Sequence, residues 1–380
     1  MNCAYFDTHR CRSCTELGQP YAAQLAAKLR HCQDLLGGPD RLHWLAPVES
    51  PPAGFRNKAK MVVSGSSDAP VLGIRDAQGQ GVDLGDCPLY PPSLQACFPA
   101  IGAFITAAAL PPYALDSRRG ELKFVLLTEA PDGQLLLRFV LRSEATVARI
   151  RKHLPSLLAA LPQLQVVSVN LQPEHKAVLE GEREILLSPT DRLGIAVNDI
   201  RLQLRPQGFF QTNTAVAAAL YAQARAWIEA LQPARVWDLY CGVGGFALHA
   251  AAAGRVVTGV ELEAEAIASA VQSLAALAAG GREVGEVHFI SADATDWALR
   301  QPAAADLVIV NPPRRGIGER LSRYLEAAVD TRWLIYSSCN AESLARDLAL
   351  MPSFRARQAR LLDMFPQTRH HEVIVLLERG

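Results

Sequence analysis

Apolar positions change their rhythm at about residue 201. Beyond it, short apolar runs alternate with Ala/Leu-rich stretches of helical period: Arg235–Leu239, Arg255–Glu261, Val287–Ile290, Leu307–Val310 and Trp333–Tyr336 are the predicted strands. This strand–helix alternation predicts a parallel sheet covered by helices on both faces. Two more strands, near Ala356–Leu362 and Val373–Glu378, are predicted to pair antiparallel at one edge. Residues 91–200 mix strand-like stretches (Leu122–Thr128, Gln134–Leu141, Val166–Leu171) with an amphipathic helix near 143–160, an α+β pattern. Residues 1–90 are irregular and rich in Pro, Gly and Cys. Within them, Tyr21, Leu25, Leu29 and Leu36 predict a helix over 19–36, and 55–63 and 71–75 read as strands. The chain thus reads as three segments: 1–90, a smaller α+β domain over 91–200, and an α/β domain over 201–380.

With 380 residues, 49% of them hydrophobic and 20% charged, the chain has ordinary globular composition and room for two or three cores. A formal net charge of zero excludes a polybasic protein. No apolar run is long enough to span a bilayer, and the first residues lack the layout of a signal peptide. A cytoplasmic protein with no membrane partner is expected. Its eight cysteines are then expected as ligands, nucleophiles or buried thiols rather than disulfides.

Asp238-Leu239-Tyr240-Cys241-Gly242-Val243-Gly244-Gly245-Phe246 joins a strand to an Ala-rich helix. Gly242 and Gly244 let the backbone turn sharply and approach a ligand. Glu261 ends the next strand, where an acid accepts hydrogen bonds from ribose hydroxyls, and Asp293 comes after the third strand, where it can face an adenine. All lie at the carboxyl ends of strands, where open α/β sheets bind ligands. A glycine turn alone also fits a dinucleotide site. The groups beyond the fourth strand favour S-adenosylmethionine: Asn311-Pro312-Pro313-Arg314-Arg315-Gly316, then Ser337-Ser338-Cys339-Asn340, then Glu372. Hydride transfer needs none of them. The prolines hold Asn311 rigidly at the pocket edge. Where amine methyltransferases carry an aromatic residue after such a turn, this chain has Arg314.

Near the start, Cys3, Cys11 and Cys14, with Cys87 far downstream, have the look of a metal site, and four thiolates serve zinc and iron–sulfur clusters alike. Cys32 and Cys97 fall outside the pattern and are expected as buried thiols. Phe55-Arg56-Asn57-Lys58-Ala59-Lys60 sets basic residues along a strand, either as a solvated face or as a surface for phosphates.

Five motifs in order, Gly208–Asn213, Asp238–Phe246, Asn311–Gly316, Ser338-Cys339-Asn340 and Asp363-Met364-Phe365-Pro366 through Glu372, resemble the RNA (uracil-5-)-methyltransferases over nearly the whole chain. The resemblance implies a Rossmann-like S-adenosylmethionine-dependent methyltransferase domain. It implies Cys339 as nucleophile and Glu372 as base, with Gln211, Tyr240, Glu261 and Asn311 contacting the methyl donor. Relatives that carry asparagine in the glycine loop have it where this chain has Gly245, so a side-chain contact to the donor from that position is absent here. It also implies that Cys3, Cys11, Cys14 and Cys87 hold a [4Fe-4S] cluster remote from the methyl site.

The cysteine cluster, and a first cluster cysteine at residue 3 that leaves no room for a preceding RNA-binding barrel, resemble the shorter ribosomal members. The expected partner is therefore 23S rRNA, with no obligate protein partner. The target base must leave its stack, and Phe209 or Phe210 could stack on it. The competing expectations are a tRNA or amine methyltransferase, and a non-enzymatic RNA-binding protein.

Overall fold

The structure is a computed structural model describing residues 1–176 and 178–380. The chain divides into two compact units: Met1–Cys14, Pro52–Ile195 and Arg205–Gln207 in one, Thr15–Pro51, Ala196–Leu204 and Gly208–Gly380 in the other. The chain changes units between 195 and 208, close to the boundary expected near 200, but not near 90, and residues 15–51 join the second unit.

The first unit is built on a seven-stranded mixed sheet, in the order Gly81–Asp83, Pro70–Arg75, Lys58–Gly65, Leu122–Glu129, Leu135–Leu141, Leu164–Leu171, Arg183–Leu186. Strands predicted in the irregular opening segment and those of the α+β segment thus belong to one sheet. The Phe98–Ala107 and Val147–Ala160 helices bury Ile101, Phe104, Ile105, Ile150 and Leu157 in a core shared with Phe139, Leu137 and Met61.

The second unit carries an eight-stranded sheet. Its order is His43–Trp44, Phe354–Leu362, Glu372–Arg379, Trp333–Ser338, Leu307–Val310, Arg235–Leu239, Val256–Glu261, Glu286–Ser291. The last five strands in that order run parallel to one another. Glu372–Arg379 pairs antiparallel with both Trp333–Ser338 and Phe354–Leu362. The antiparallel pair is present but is not the edge. His43–Trp44 adds parallel to Phe354–Leu362 outside it, a two-residue strand too short to carry a period.

From Arg235–Leu239 the chain steps outward to Val256–Glu261 and Glu286–Ser291, then returns to Leu307–Val310 on the other side. The order therefore reverses between Arg235–Leu239 and Leu307–Val310. At such a switch point the loops leaving the two strands diverge and open a crevice at the carboxyl ends of the strands. Leu307–Val310 is buried throughout, as a strand covered on both faces must be.

The early helix runs Tyr21–Leu36. Its most buried residues are Gln24, Lys28 and Cys32, while Leu25, Leu29 and Leu36 pack at the margin of the core. The buried stripe is thus turned by one residue from the apolar stripe predicted. The cause is polar. Lys28 Nζ donates to Asp363 Oδ1 at 2.6 Å and to the Phe365 carbonyl at 3.1 Å, and Gln24 Nε2 donates to Gln367 Oε1 at 3.0 Å. The helix holds the loop that leads into Glu372.

Candidate active site

Two turns flank the switch point. After Leu239 the chain passes through Tyr240 at φ 67, a left-handed conformation uncommon for a non-glycine residue, and then Gly242 at φ 53 and Gly244 at φ 85. A Cβ on Gly242 would meet open space, whereas one on Gly244 would press on Phe289 Cζ at 3.0 Å. Gly242 thus faces the crevice and Gly244 permits tight packing beneath it. Glu261 Oε2 accepts from the Gly242 amide at 3.1 Å, and Oε1 from Leu262 at 2.7 Å. The acid expected at the ribose is therefore tied to the glycine turn. Asp293 caps the next helix, its Oδ1 accepting from Asp296 N at 2.9 Å. Tyr240 hydrogen-bonds Thr295 and lies near Asp293. Asp238, fully buried, accepts from Ala247 N at 2.8 Å through Oδ2, while Oδ1 has no partner. Burial pushes its pKa up to about 8.

Across the crevice, Asn311 N approaches the Leu239 carbonyl at 3.5 Å. The turn it opens is fastened from behind by buried Asp347, which accepts from Tyr336 Oη at 2.6 Å and Ile317 N at 2.8 Å. Gly316, at φ 85, lies so close to Asp347 that a Cβ would meet Oδ2 at 2.2 Å. The turn is fixed by hydrogen bonds as well as by its prolines. Asn340 then ties it to the next strand: Nδ2 donates to the Arg314 carbonyl at 3.1 Å, while Oδ1 caps the Ala341–Ala349 helix, accepting from Glu342 N at 3.0 Å.

Cys339 stands between these groups, half-buried. Burial raises its pKa, the Glu372 charge raises it further, and the Arg314 guanidinium lowers it through charge and a hydrogen bond. Thiol, carboxylate and guanidinium therefore share one neighbourhood. Glu372 opens the last strand and is 2% exposed. Ser337 Oγ donates to its Oε1 at 2.6 Å. Burial lifts its pKa to about 7, against the Ser337 bond that lowers it. A carboxyl of that pKa exchanges protons readily at neutral pH. Arg314 also meets His370 Nδ1 at 2.9 Å.

The candidate donor-contact Gln211 is buried on the loop before the Thr214–Leu231 helix, and Asn213 caps that helix. Phe209 is 68% exposed and Phe210 5% exposed, so only Phe209 is free to stack on a base. Sequence reasoning did not assign roles to Ser337, Arg314 or Asp347. Ser337 and Arg314 lie within motifs and Asp347 on the Ala341–Ala349 helix, and the contacts they make are what mark them.

In the first unit, Cys14 is buried and Cys3, Cys11 and Cys87 are partly buried, all as free thiols. Burial, then the charges of Cys87, Cys11 and Cys3, pushes the Cys14 pKa up to about 12. The Cys87 pKa rises to about 11 by burial and by Cys3 and Cys11. Cys14 and Cys87 thus each lie within electrostatic reach of Cys3 and Cys11. Among the described residues, no group of three or more His, Cys, Asp or Glu is set to hold a single metal ion. Cys32 and Cys97 are buried in separate cores, as expected. Among the described residues no helix is long and apolar enough to cross a membrane.

An open α/β sheet with a glycine turn, an acid on the next strand and an Asn-Pro-Pro turn at its switch point defines the fold of the S-adenosylmethionine-dependent methyltransferases. The family described as tRNA (Uracil-5-)-methyltransferase matches residues 163–380. The chain is 50% identical over 380 residues to the 23S rRNA (uracil(747)-C(5))-methyltransferase RlmC of Cronobacter sakazakii, covering 100% of both chains. It is 49% identical over 378 residues to that of Escherichia coli O139:H28, covering 99% of each. It is similar in structure to the Pyrococcus abyssi tRNA (uracil-54, C5)-methyltransferase in complex with S-adenosyl-L-homocysteine: TM-score 0.78, 23% identity, 96% of this chain and 85% of that one. This protein belongs to the tRNA (uracil-5-)-methyltransferase family.

Proposed function

We propose that this protein transfers a methyl group from S-adenosylmethionine to C5 of a uridine in 23S rRNA, in the cytoplasm and without an obligate protein partner. Its full-length likeness to enzymes named for uracil 747 of that RNA supports the substrate. Gln211, Tyr240, Gly242, Gly244, Glu261, Asp293 and Asn311 are the residues we assign to the donor. The open space at Gly242, the acid beside it and the unpartnered oxygen of Asp238 fit a ligand lying across the glycine turn. When bound, the donor supplies an electrophilic methyl on a sulfonium centre.

C5 of uracil is a weak nucleophile. Cys339, as thiolate, adds to C6; the displaced electron pair forms an enolate and makes C5 nucleophilic. Arg314 stabilises the thiolate that burial and Glu372 disfavour. Once C5 carries the methyl, Glu372 removes its remaining proton, the C5–C6 double bond reforms and the Cys339–C6 bond breaks. A carboxyl lifted to about 7 is poised for that transfer. The neighbourhood of Cys339, Glu372 and Arg314 is the observation that carries this reading. Phe209 stacks on the base once it is flipped out.

We also propose that Cys3, Cys11, Cys14 and Cys87 hold a [4Fe-4S] cluster. The influence of Cys3 and Cys11 on both Cys14 and Cys87 supports this donor set, and as a methylation needs no electron its part is structural or in RNA contact, beside the basic Arg56–Lys60 segment. Iron and visible absorption in anaerobically purified protein test it.

The central experiment is Glu372→Gln, incubated with a 23S rRNA fragment and donor. A covalent RNA–protein complex accumulates on denaturing gels, since addition persists and elimination stops. Cys339→Ala gives neither complex nor methylation and still binds donor. Unchanged turnover by Glu372→Gln removes Glu372 from the mechanism.

A further inference from the structure

Tyr221 lies on the Thr214–Leu231 helix, and none of the chemistry above uses it. It is 6% exposed. Its ring is fixed from several sides. It meets Phe246 edge-on at 4.9 Å and stacks on His249 at 5.0 Å. His249 is itself held, its Nδ1 at 2.6 Å from the Gly245 carbonyl and its Nε2 at 3.0 Å from Asn198 Nδ2. The ring then closes over the glycine turn. A Cβ on Gly245 would come within 2.4 Å of Tyr221 Cζ and 2.5 Å of its hydroxyl oxygen. Any side chain at 245 and this tyrosine exclude one another, so the space beside the turn belongs to a group delivered from a different helix.

That group ends in a hydroxyl which, among the described residues, makes no hydrogen bond. Buried polar groups rarely go unpaired without a missing partner. One is close by: Asp238 Oδ1, at the foot of the same turn, is buried and without a partner. After burial, the charges of Asp238 and Glu372 are what act on the Tyr221 phenol. The hydroxyl therefore lies on the reacting side of the glycine turn. With adenine and ribose at Asp293 and Glu261, the part of the donor beyond the ribose is a sulfonium and a zwitterionic amino acid. Of these, only the ammonium and carboxylate can pair with a hydroxyl.

We infer that Tyr221 is a donor-binding residue whose hydroxyl hydrogen-bonds the amino-acid end of the methyl donor over the glycine turn. The inference rests on the donor reading proposed above and adds a residue to it.

The test is calorimetric titration of the full chain with two ligands. S-adenosylhomocysteine carries the amino-acid end, and 5′-methylthioadenosine is the same thioether nucleoside without it. Tyr221→Phe is expected to weaken S-adenosylhomocysteine roughly 10- to 100-fold, the range for a hydrogen bond to a charged group. Its affinity for 5′-methylthioadenosine and its ligand-free melting temperature stay as in the wild type. Gly245→Ala, which displaces the ring, shows the same selective loss. Equal binding of S-adenosylhomocysteine by Tyr221→Phe and wild type overturns the inference. So does an equal loss for both ligands, which marks a packing role. If the wild type binds neither ligand, the donor reading itself fails, a different result from either.

Discussion

Replacing Ser337 with alanine removes one hydroxyl and leaves the sheet intact, yet it acts on the base. Ser337 Oγ donates to Glu372 Oε1 at 2.6 Å, and both side chains are buried. The bond favours the charged carboxylate against the burial that lifts its pKa to about 7. A hydrogen bond to a charged group contributes about 1.5–3 kcal/mol, which is about 1–2 pKa units. Without it the Glu372 carboxyl titrates well above neutrality. At pH 7 the ionised fraction falls from about half to between about a tenth and a hundredth. The base acts when deprotonated, so elimination slows roughly 5- to 50-fold at pH 7 and recovers as pH rises. The assay is a quenched time course of adduct formation and decay on a 23S rRNA fragment between pH 6 and 9.5. The expected result is an acidic limb of adduct decay displaced upward by that amount, with adduct formation at neutral pH unimpaired. A limb that does not move, or a loss equal at every pH, refutes the assignment of Glu372 as the titrating base.

Two further outcomes are expected. Lys28→Met leaves the Asp363 carboxylate buried without its cation and should cost about 3–5 kcal/mol in urea unfolding, with Asp363→Asn recovering part of it; a loss under about 1 kcal/mol contradicts the role of the pair. Under native iodoacetamide, Cys339 should be alkylated while Cys32, Cys97 and Cys241 are protected, as peptide masses will report. The Cys339 rate should rise with pH because the thiolate reacts, and Arg314→Ala should slow it.

The carboxyl ends of the parallel strands were legible because continuous apolar runs end abruptly in Gly, Pro, Ser or Asn. Those ends carried the glycine turn, Asn311 and Cys339. Much of what was not legible has one cause, polar groups buried by partners far away in sequence. The Tyr21–Leu36 helix displays leucines at the expected spacing, but Lys28 and Gln24 define its buried side because Asp363 and Gln367 receive them. Phe209 and Phe210 are adjacent, and period alone cannot say which faces inward. Tyr221 reads as one more aromatic on an apolar helix, and its meaning comes from the bare Gly245 it covers.

The grouping of residues 15–51 with 196–380 sets an order on synthesis. Lys28 leaves the ribosome 335 residues before the Asp363 it pairs with. At roughly 5–20 residues per second the emerging helix waits about 20–70 s for its buried partner, its leucines uncovered. A fragment begun at residue 201 would meet the reverse problem, a finished base loop with a buried anion and no lysine to receive it. The Tyr21–Leu36 helix behaves as a keystone supplied early and set last, so the methyl-transfer half is completed only when the chain's two distant stretches meet.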